Sequence, residues 1–298
     1  MAIETKPVEL SSDTVPLGSG LPTREELLVH YPANFTWHQM KIFVNSGDLG
    51  LLKRSKKLQQ RYNEWAEGVK KEYGSIVNYL LSYRLQWGHP DTISLLRSSL
   101  DPPAEPNIPA PSESKTRPIG VLPPMPPDAP AYFHADMSKE LYYVAMNDWP
   151  YSVPPEIEHS LIWSRVPFFP PDLPSPVESR ISARLLQDGL WGFTGLDSPP
   201  PSPSLLPQAL PALEPWGVTM DKLIRSPRGT DEEERQIKEY GKEIETFVKR
   251  RWNEHEWETA WFLNPPRLQS VPGLAHVHVF ARHKSPEEIA RATATSDP

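Results

Sequence analysis

Two histidines, His276 and His278, stand two residues apart in the segment LAHVHVFAR. In a β-strand that spacing sends both side chains to one face, with Leu274 and Phe280 beside them. Imidazole transfers protons near neutral pH, attacks phosphorus or acyl centres, and ligates metals. His276 and His278 are therefore the candidate catalytic pair. The competing reading is a pair of half-exposed strand histidines with structural hydrogen bonds, since an HxH pattern alone is a weak signal.

Supporting groups must come from other segments. Asn147 and Asp148 in the NDWPY turn, His159 in EHSLIWSR, and Asn264, Arg267, Gln269 and Ser270 in the loop before the histidines are the candidate ligand-binding residues, together with Arg282. Amides and hydroxyls donate hydrogen bonds to an anion, and Arg267 or Arg282 would neutralise phosphate. Asn147 and Asp148 ahead of Trp149 and Pro150 are also ordinary turn formers. Trp149, Trp163, Trp257 and Trp261 read as core or pocket wall. No metal is expected, because only His159 or His283 could complete a site with the pair, and no cofactor is expected either.

These residues need elements to carry them. Glu140–Ala145, Glu158–Arg165, Glu258–Leu263 and Leu274–Arg282 read as strands, rich in β-branched and aromatic residues. Thr36 with Gln39 forms a capping-box pattern, flanked by a Phe35–Met40 staple, for a short helix to about Val44. From Asp48 to Trp87 the apolar residues Leu58, Tyr62, Trp65, Val69, Tyr73, Ile76 and Leu80 fall at helical spacing, and Gly74 is a candidate bend. That stripe reads as packing surface. The basic run Lys53, Arg54, Lys56, Lys57 and Arg61 reads as a solvated helix face. Thr230 with Glu233 caps a helix that starts DEEE and ends KRR, as the macrodipole prefers. Ser285, Pro286 and Glu288 open a last short helix.

The 37 prolines among 298 residues cluster, so ordered islands must be joined by proline-rich spans. Residues 1–20 read as a disordered tail, 21–98 as a helical region, 99–131 as an extended linker and 132–298 as an α+β unit interrupted at about 167–217. Within that interruption Ser182–Leu190 could form a helix and LWGFTG could dock an aromatic pair. Residues 99–131 and most of 196–215 are expected to be dispensable for folding. The segment Ser198–Ser204 has the composition of a ligand for proline-recognising modules, so protein partners through the proline-rich spans are one expectation. A net charge of −7 argues against nucleic acid, and no apolar run is long enough for a membrane helix. Zero cysteines exclude a disulfide framework and fit the cytosol, with the nucleus open.

Several motifs in order carry a resemblance: SGDLGLLKRS, KEYGSIVNYLLSYRLQW, MNDWPYSVPPEIEHSLIWSR and AWFLNPPRLQSVPGLAHVHVFAR. Together they resemble the fungal N-acetylglucosamine-induced protein 1 family over about 35–95 and 137–283. That resemblance implies a fungal, cytoplasmic protein with no assigned reaction. A second resemblance is confined to LQSVPGLAHVHVFAR, which is similar to the histidine-triad signature of nucleotide hydrolases and transferases. It implies His276 as nucleophile, His278 as the last histidine, and Gln269 and Ser270 near a phosphate-binding turn. Leu274 stands where the first histidine would be, and the turn holds an extra residue.

The expectation is an α+β fold, a helical N-terminal region with a mostly antiparallel C-terminal sheet, histidine-triad-like. The functional expectation is binding of, or action on, an anionic small molecule of nucleotide or sugar-phosphate type through His276 and His278. The alternatives are a non-enzymatic regulatory or interaction protein, and a His-coordinated metal site.

Overall fold

Three inner strands buried on both faces and two edge strands organise the chain. In a computed structural model describing residues 10–101, 122–271 and 273–296, these are β1 (Tyr142–Met146), β2 (Ile157–Ser164), β3 (Leu190–Thr194), β4 (Trp257–Leu263) and β5 (His276–His283). They form one antiparallel sheet in the order β1-β2-β5-β4-β3. All seven residues of β4 are buried, which explains why its sequence lacks polar alternation: helices cover the sheet on both sides. The fold is α+β. Part of the expected tail (1–9) and most of the expected linker (102–121) lie outside the described residues.

One face packs on α5 (Arg180–Asp188) and α8 (Lys242–Arg251), through Leu185, Phe247, Val248 and Trp252 against Ile162, Val277 and Val279. The other face carries the histidines. There α2 (Trp37–Asn45) covers β3, β4 and the far end of β5 with Met40 and Phe43. Helix α3 (Lys56–Tyr73) and α4 (Ile76–Tyr79) cover β1 and β2, with Val69, Tyr79 and Leu80 against Tyr143, Leu161 and Trp163. A short α1 (Arg24–His30) precedes them, and α9 (Pro286–Ser296) follows β5.

Capping chemistry behaves as read. Thr36 Oγ1 accepts from Gln39 N at 3.2 Å while Gln39 Oε1 accepts from Thr36 N at 2.9 Å. Thr230 and Glu233 do the same at the start of α7 (Asp231–Tyr240). The helix expected over 48–87 is broken at Gly74, the bend read from the sequence, and elsewhere as well. A 3-10 turn over Leu49–Leu51 comes first, and Ser55 caps α3. Gly74, at φ 80°, ends α3 in the left-handed region that its missing Cβ permits. After α4 a π turn spans Leu80–Arg84. The helix expected over 230–251 likewise divides, at Gly241, where a Cβ would stand 2.8 Å from the Trp261 ring.

LWGFTG docks its aromatic pair as expected: Trp191 and Phe193 of edge strand β3 pack against the cluster under α2, and Gly192 between them leaves room for the opposing Trp261. Two readings are corrected outright. The 196–215 stretch expected to be dispensable for folding is built into the core, because Leu206 and Ala209 of α6 (Leu206–Ala209) and Leu213 in the following 3-10 turn are at most 2% exposed, under α2. Proline at the first turns of these helices costs no hydrogen bond, so the density of proline did not forbid order. The basic run is not a uniformly solvated face either: Arg61 is buried and paired with Glu26 at 2.9 Å.

Candidate functional site

Strand β5 holds His276 opposite Trp163 and His278 opposite Leu161 on β2, while His159 lies two places further along β2 opposite Phe280. Residues opposite one another in an antiparallel pair share a face, so the three imidazoles line up under α3, α4 and the NDWPY turn. All three are buried, at 5% exposure or less, which corrects the half-exposed reading. His276 lies against the Trp163 ring, centroids 4.2 Å apart. His278 stacks on Phe262 at 4.7 Å and 3°.

Hydrogen bonds fix which nitrogen of each ring bears a proton. The Tyr151 N–H donates to His159 Nδ1 at 3.1 Å, so a neutral His159 carries its proton on Nε2. That Nε2–H donates to His278 Nδ1 at 3.0 Å, leaving the proton of His278 on Nε2. His278 Nε2 stands 3.1 Å from Asn264 Nδ2, and Asn264 Oδ1 has no partner among the described residues. Turning the carboxamide over lets Oδ1 accept from His278 Nε2–H. Both nitrogens of His278 are thus engaged. His276 differs: its Nδ1–H donates to Leu274 O at 3.0 Å, so the lone pair sits on Nε2, which has no hydrogen-bond partner among the described residues.

Burial pushes the His276 pKa down to about 4. Burial also holds His159 and His278 well below the usual range, with Arg54 and the neighbouring imidazoles adding to the depression. At neutral pH all three are uncharged.

His276 and His278 border a cavity of about 80 Å³, walled by Tyr62 and Trp65 of α3, Tyr79, Asn147 and Asp148, with Ser270 at an exposed position on its border. That volume holds several waters or one phosphate-sized group. Arg54 also lines it. Its Nε and Nη2 donate to Trp149 O at 3.1 and 2.8 Å, its Nη1 donates to Gln59, and its guanidinium lies 4.7 Å from the Tyr62 centroid. No carboxylate stands within ion-pair distance of Arg54 among the described residues. Burial lowers its pKa.

Of the candidates read from sequence, His276, His278, His159, Asn147, Asn264 and Ser270 come together here. Gln269 supports the cluster by donating to Asn264 O at 3.2 Å. Asp148 lines the cavity, but its oxygens are held by Arg84 at 2.6 and 3.0 Å, and Arg84 also binds Asp91. Arg267 and Arg282 are not at this cavity. Arg267 donates to Gln187 O and Ile224 O, and Arg282 pairs with Glu258 and Glu288. Sequence reasoning missed Arg54, Tyr62, Trp65 and Tyr151. One signal for Arg54 was present: Ser55 with Leu58 starting the apolar stripe marks an N-cap, which puts Arg54 just before the helix rather than on its face. Among the described residues, no three His, Asp or Glu side chains are grouped to hold a metal, and no helix is long and apolar enough to cross a membrane.

Sheet and cavity define an α+β protein in which uncharged, buried imidazoles share a small space with a guanidinium that has no carboxylate partner among the described residues. The chain belongs to the family described as "Protein of unknown function (DUF3605)", whose profile matches residues 36–175 and 224–282. The unmatched stretch between contains α5, β3 and α6. Uncharacterized protein YPL067C of Saccharomyces cerevisiae (strain ATCC 204508 / S288c) is 25% identical over 262 residues, spanning 86% of this chain and 85% of that one. A structure titled "Crystal Structure of HTC1" is 21% identical, covers 88% of this chain and 94% of its own, and superposes with a TM-score of 0.35.

Proposed function

We propose that this protein binds a phosphorylated small molecule of the nucleotide or sugar-phosphate class, with the phosphate beside Arg54 and His276 Nε2 as the attacking nitrogen. The observation that carries this reading is a guanidinium with no carboxylate partner and an imidazole nitrogen with no hydrogen-bond partner, among the described residues, on one cavity. In the reaction, the Nε2 lone pair forms a bond to phosphorus as the bond from phosphorus to the leaving oxygen breaks. That oxygen takes a proton from water at the mouth near Ser270. The Nδ1–H held by Leu274 O stabilises the imidazolium that forms; a second water then attacks phosphorus as the N–P bond breaks, the bonding pair returns to Nε2, and the proton that water gives up neutralises the hydroxide left by the first, so the ring ends neutral with its proton still on Nδ1. His278, with both nitrogens engaged, orients the site. The cytosol, suggested by zero cysteines, belongs to the same reading.

A second reading, a regulatory or interaction protein, is favoured by the size of the cavity: about 80 Å³ admits the phosphate but not a nucleoside or sugar body without movement of α3 or the NDWPY turn. A thermal-shift panel of nucleotides, nucleoside diphosphosugars and N-acetylglucosamine phosphates separates the two. A ligand at about 100 times its dissociation constant adds roughly 2.7 kcal/mol of apparent stability. The phosphate reading expects such a shift in wild type and its loss in His276→Ala. No shift, or one unchanged in His276→Ala, leaves the interaction reading.

A further inference from the structure

A second pocket, of about 420 Å³, uses Met146, Asn147 and Tyr151 as a wall in common with the histidine cavity. Its apolar lining comes from Leu27 and Leu28 of α1, Leu58 of α3, and Leu96 and Val153. Leu28 is 39% exposed. Two exposed arginines, Arg24 and Arg97, also line it, and neither has a carboxylate at ion-pair distance among the described residues. Two acidic residues border the same space. Glu158 is occupied by Ser98 Oγ at 2.9 Å and by Ser99 N and Oγ at 2.7 Å each, whereas Glu156 has no such engagement among the described residues. The leucine-rich lining therefore carries two guanidiniums without a carboxylate partner and one unengaged carboxylate among the described residues.

We infer that this pocket is a separate binding site for an amphipathic monoanion, an aliphatic carboxylate whose chain lies against Leu27, Leu28, Leu58, Leu96 and Val153 and whose head meets Arg24 and Arg97. Burying methylene groups drives the association, and the guanidinium fork selects the head group. The site is independent of the chemistry at His276.

Calorimetric titration of the full chain with octanoate tests it, with butyrate and octylammonium as controls for chain and charge. Octanoate should bind saturably and at least about tenfold more tightly than either control. Arg24→Gln with Arg97→Gln should weaken it about fivefold or more, and Leu28→Glu about tenfold, while His276→Ala retains it. Both sets of changes lie at exposed positions, so their melting curves should stay close to wild type. Absence of octanoate binding, equal affinity for octylammonium, or affinity unchanged in Leu28→Glu and the double arginine variant would overturn the assignment.

Discussion

At the residue scale, His276 and His278 look equivalent in the sequence and are not equivalent in the fold. The HxH spacing placed both on one face, but spacing cannot say which ring keeps a free nitrogen. That depends on His159 and Asn264, which approach His278 from β2 and the loop after β4. His278→Ala should therefore act chiefly on stability, costing about 2 kcal/mol or more, because it opens a hole beside Phe262 and leaves two polar partners unsatisfied. Chemical denaturation of both alanine variants checks this; a smaller loss for His278→Ala than for His276→Ala would contradict it. Arg54 gives a second test. Arg54→Met should weaken phosphate-ligand binding about tenfold, and Arg54→Lys less, since charge survives in the lysine. Equal binding by Arg54→Met and wild type, measured by calorimetry, would remove Arg54 from the site.

At the element scale, the legible parts of the fold were those whose local chemistry agrees with their final state. Strands β2, β4 and β5 announce themselves through residues such as Ile162, Trp261 and Val277, and α2 through Thr36 and Gln39. Strand β3 did not, because it is five residues long with Gly192 at its centre, and only the Trp261 ring explains that glycine. The order of 203–217 was hidden for a related reason: Leu206 and Leu213 are buried only once α2 lies over them. Leu213→Ala should accordingly cost about 2–5 kcal/mol, far more than a surface loop would allow. A melting temperature within experimental error of wild type would restore the loop reading. On α3, Trp65 touches Tyr62, Tyr79 and Trp149 at centroid distances of 5.9, 5.3 and 5.2 Å. Trp65→Ala should destabilise by about 3 kcal/mol, while exposed Lys57→Ala stays near neutral.

At the scale of the whole molecule, a sheet covered on both faces buries the imidazoles, and that burial sets their response to pH. The unfolded chain takes up protons on its histidines near pH 6.5, but native His276 resists protonation until about pH 4, and His159 and His278 lie well below the usual range too. The unfolded state therefore binds more protons over this window, so stability is full above about pH 6.5 and falls as pH drops toward 4. His276 alone accounts for roughly 3 kcal/mol of that loss. The ion-paired carboxylates respond at lower pH: Glu288, held at about 2 chiefly by Arg282, loses its contribution only as pH falls from the ordinary carboxylate range toward that value. Urea denaturation between about pH 7 and pH 5 should show the imidazole-driven decline; a flat profile there would mean that the imidazoles are hydrated in the folded protein.

The account rests most directly on the state of the His276 ring, which long-range proton–nitrogen correlation NMR reads without any ligand being known. At neutral pH the spectrum should show His276 protonated on Nδ1 alone, His159 and His278 protonated on Nε2 alone, and the bare His276 Nε2 signal moving when a bound phosphate compound is added. A His276 ring protonated on both nitrogens, or on Nε2 alone, would leave no lone pair facing the cavity and would contradict the central claim.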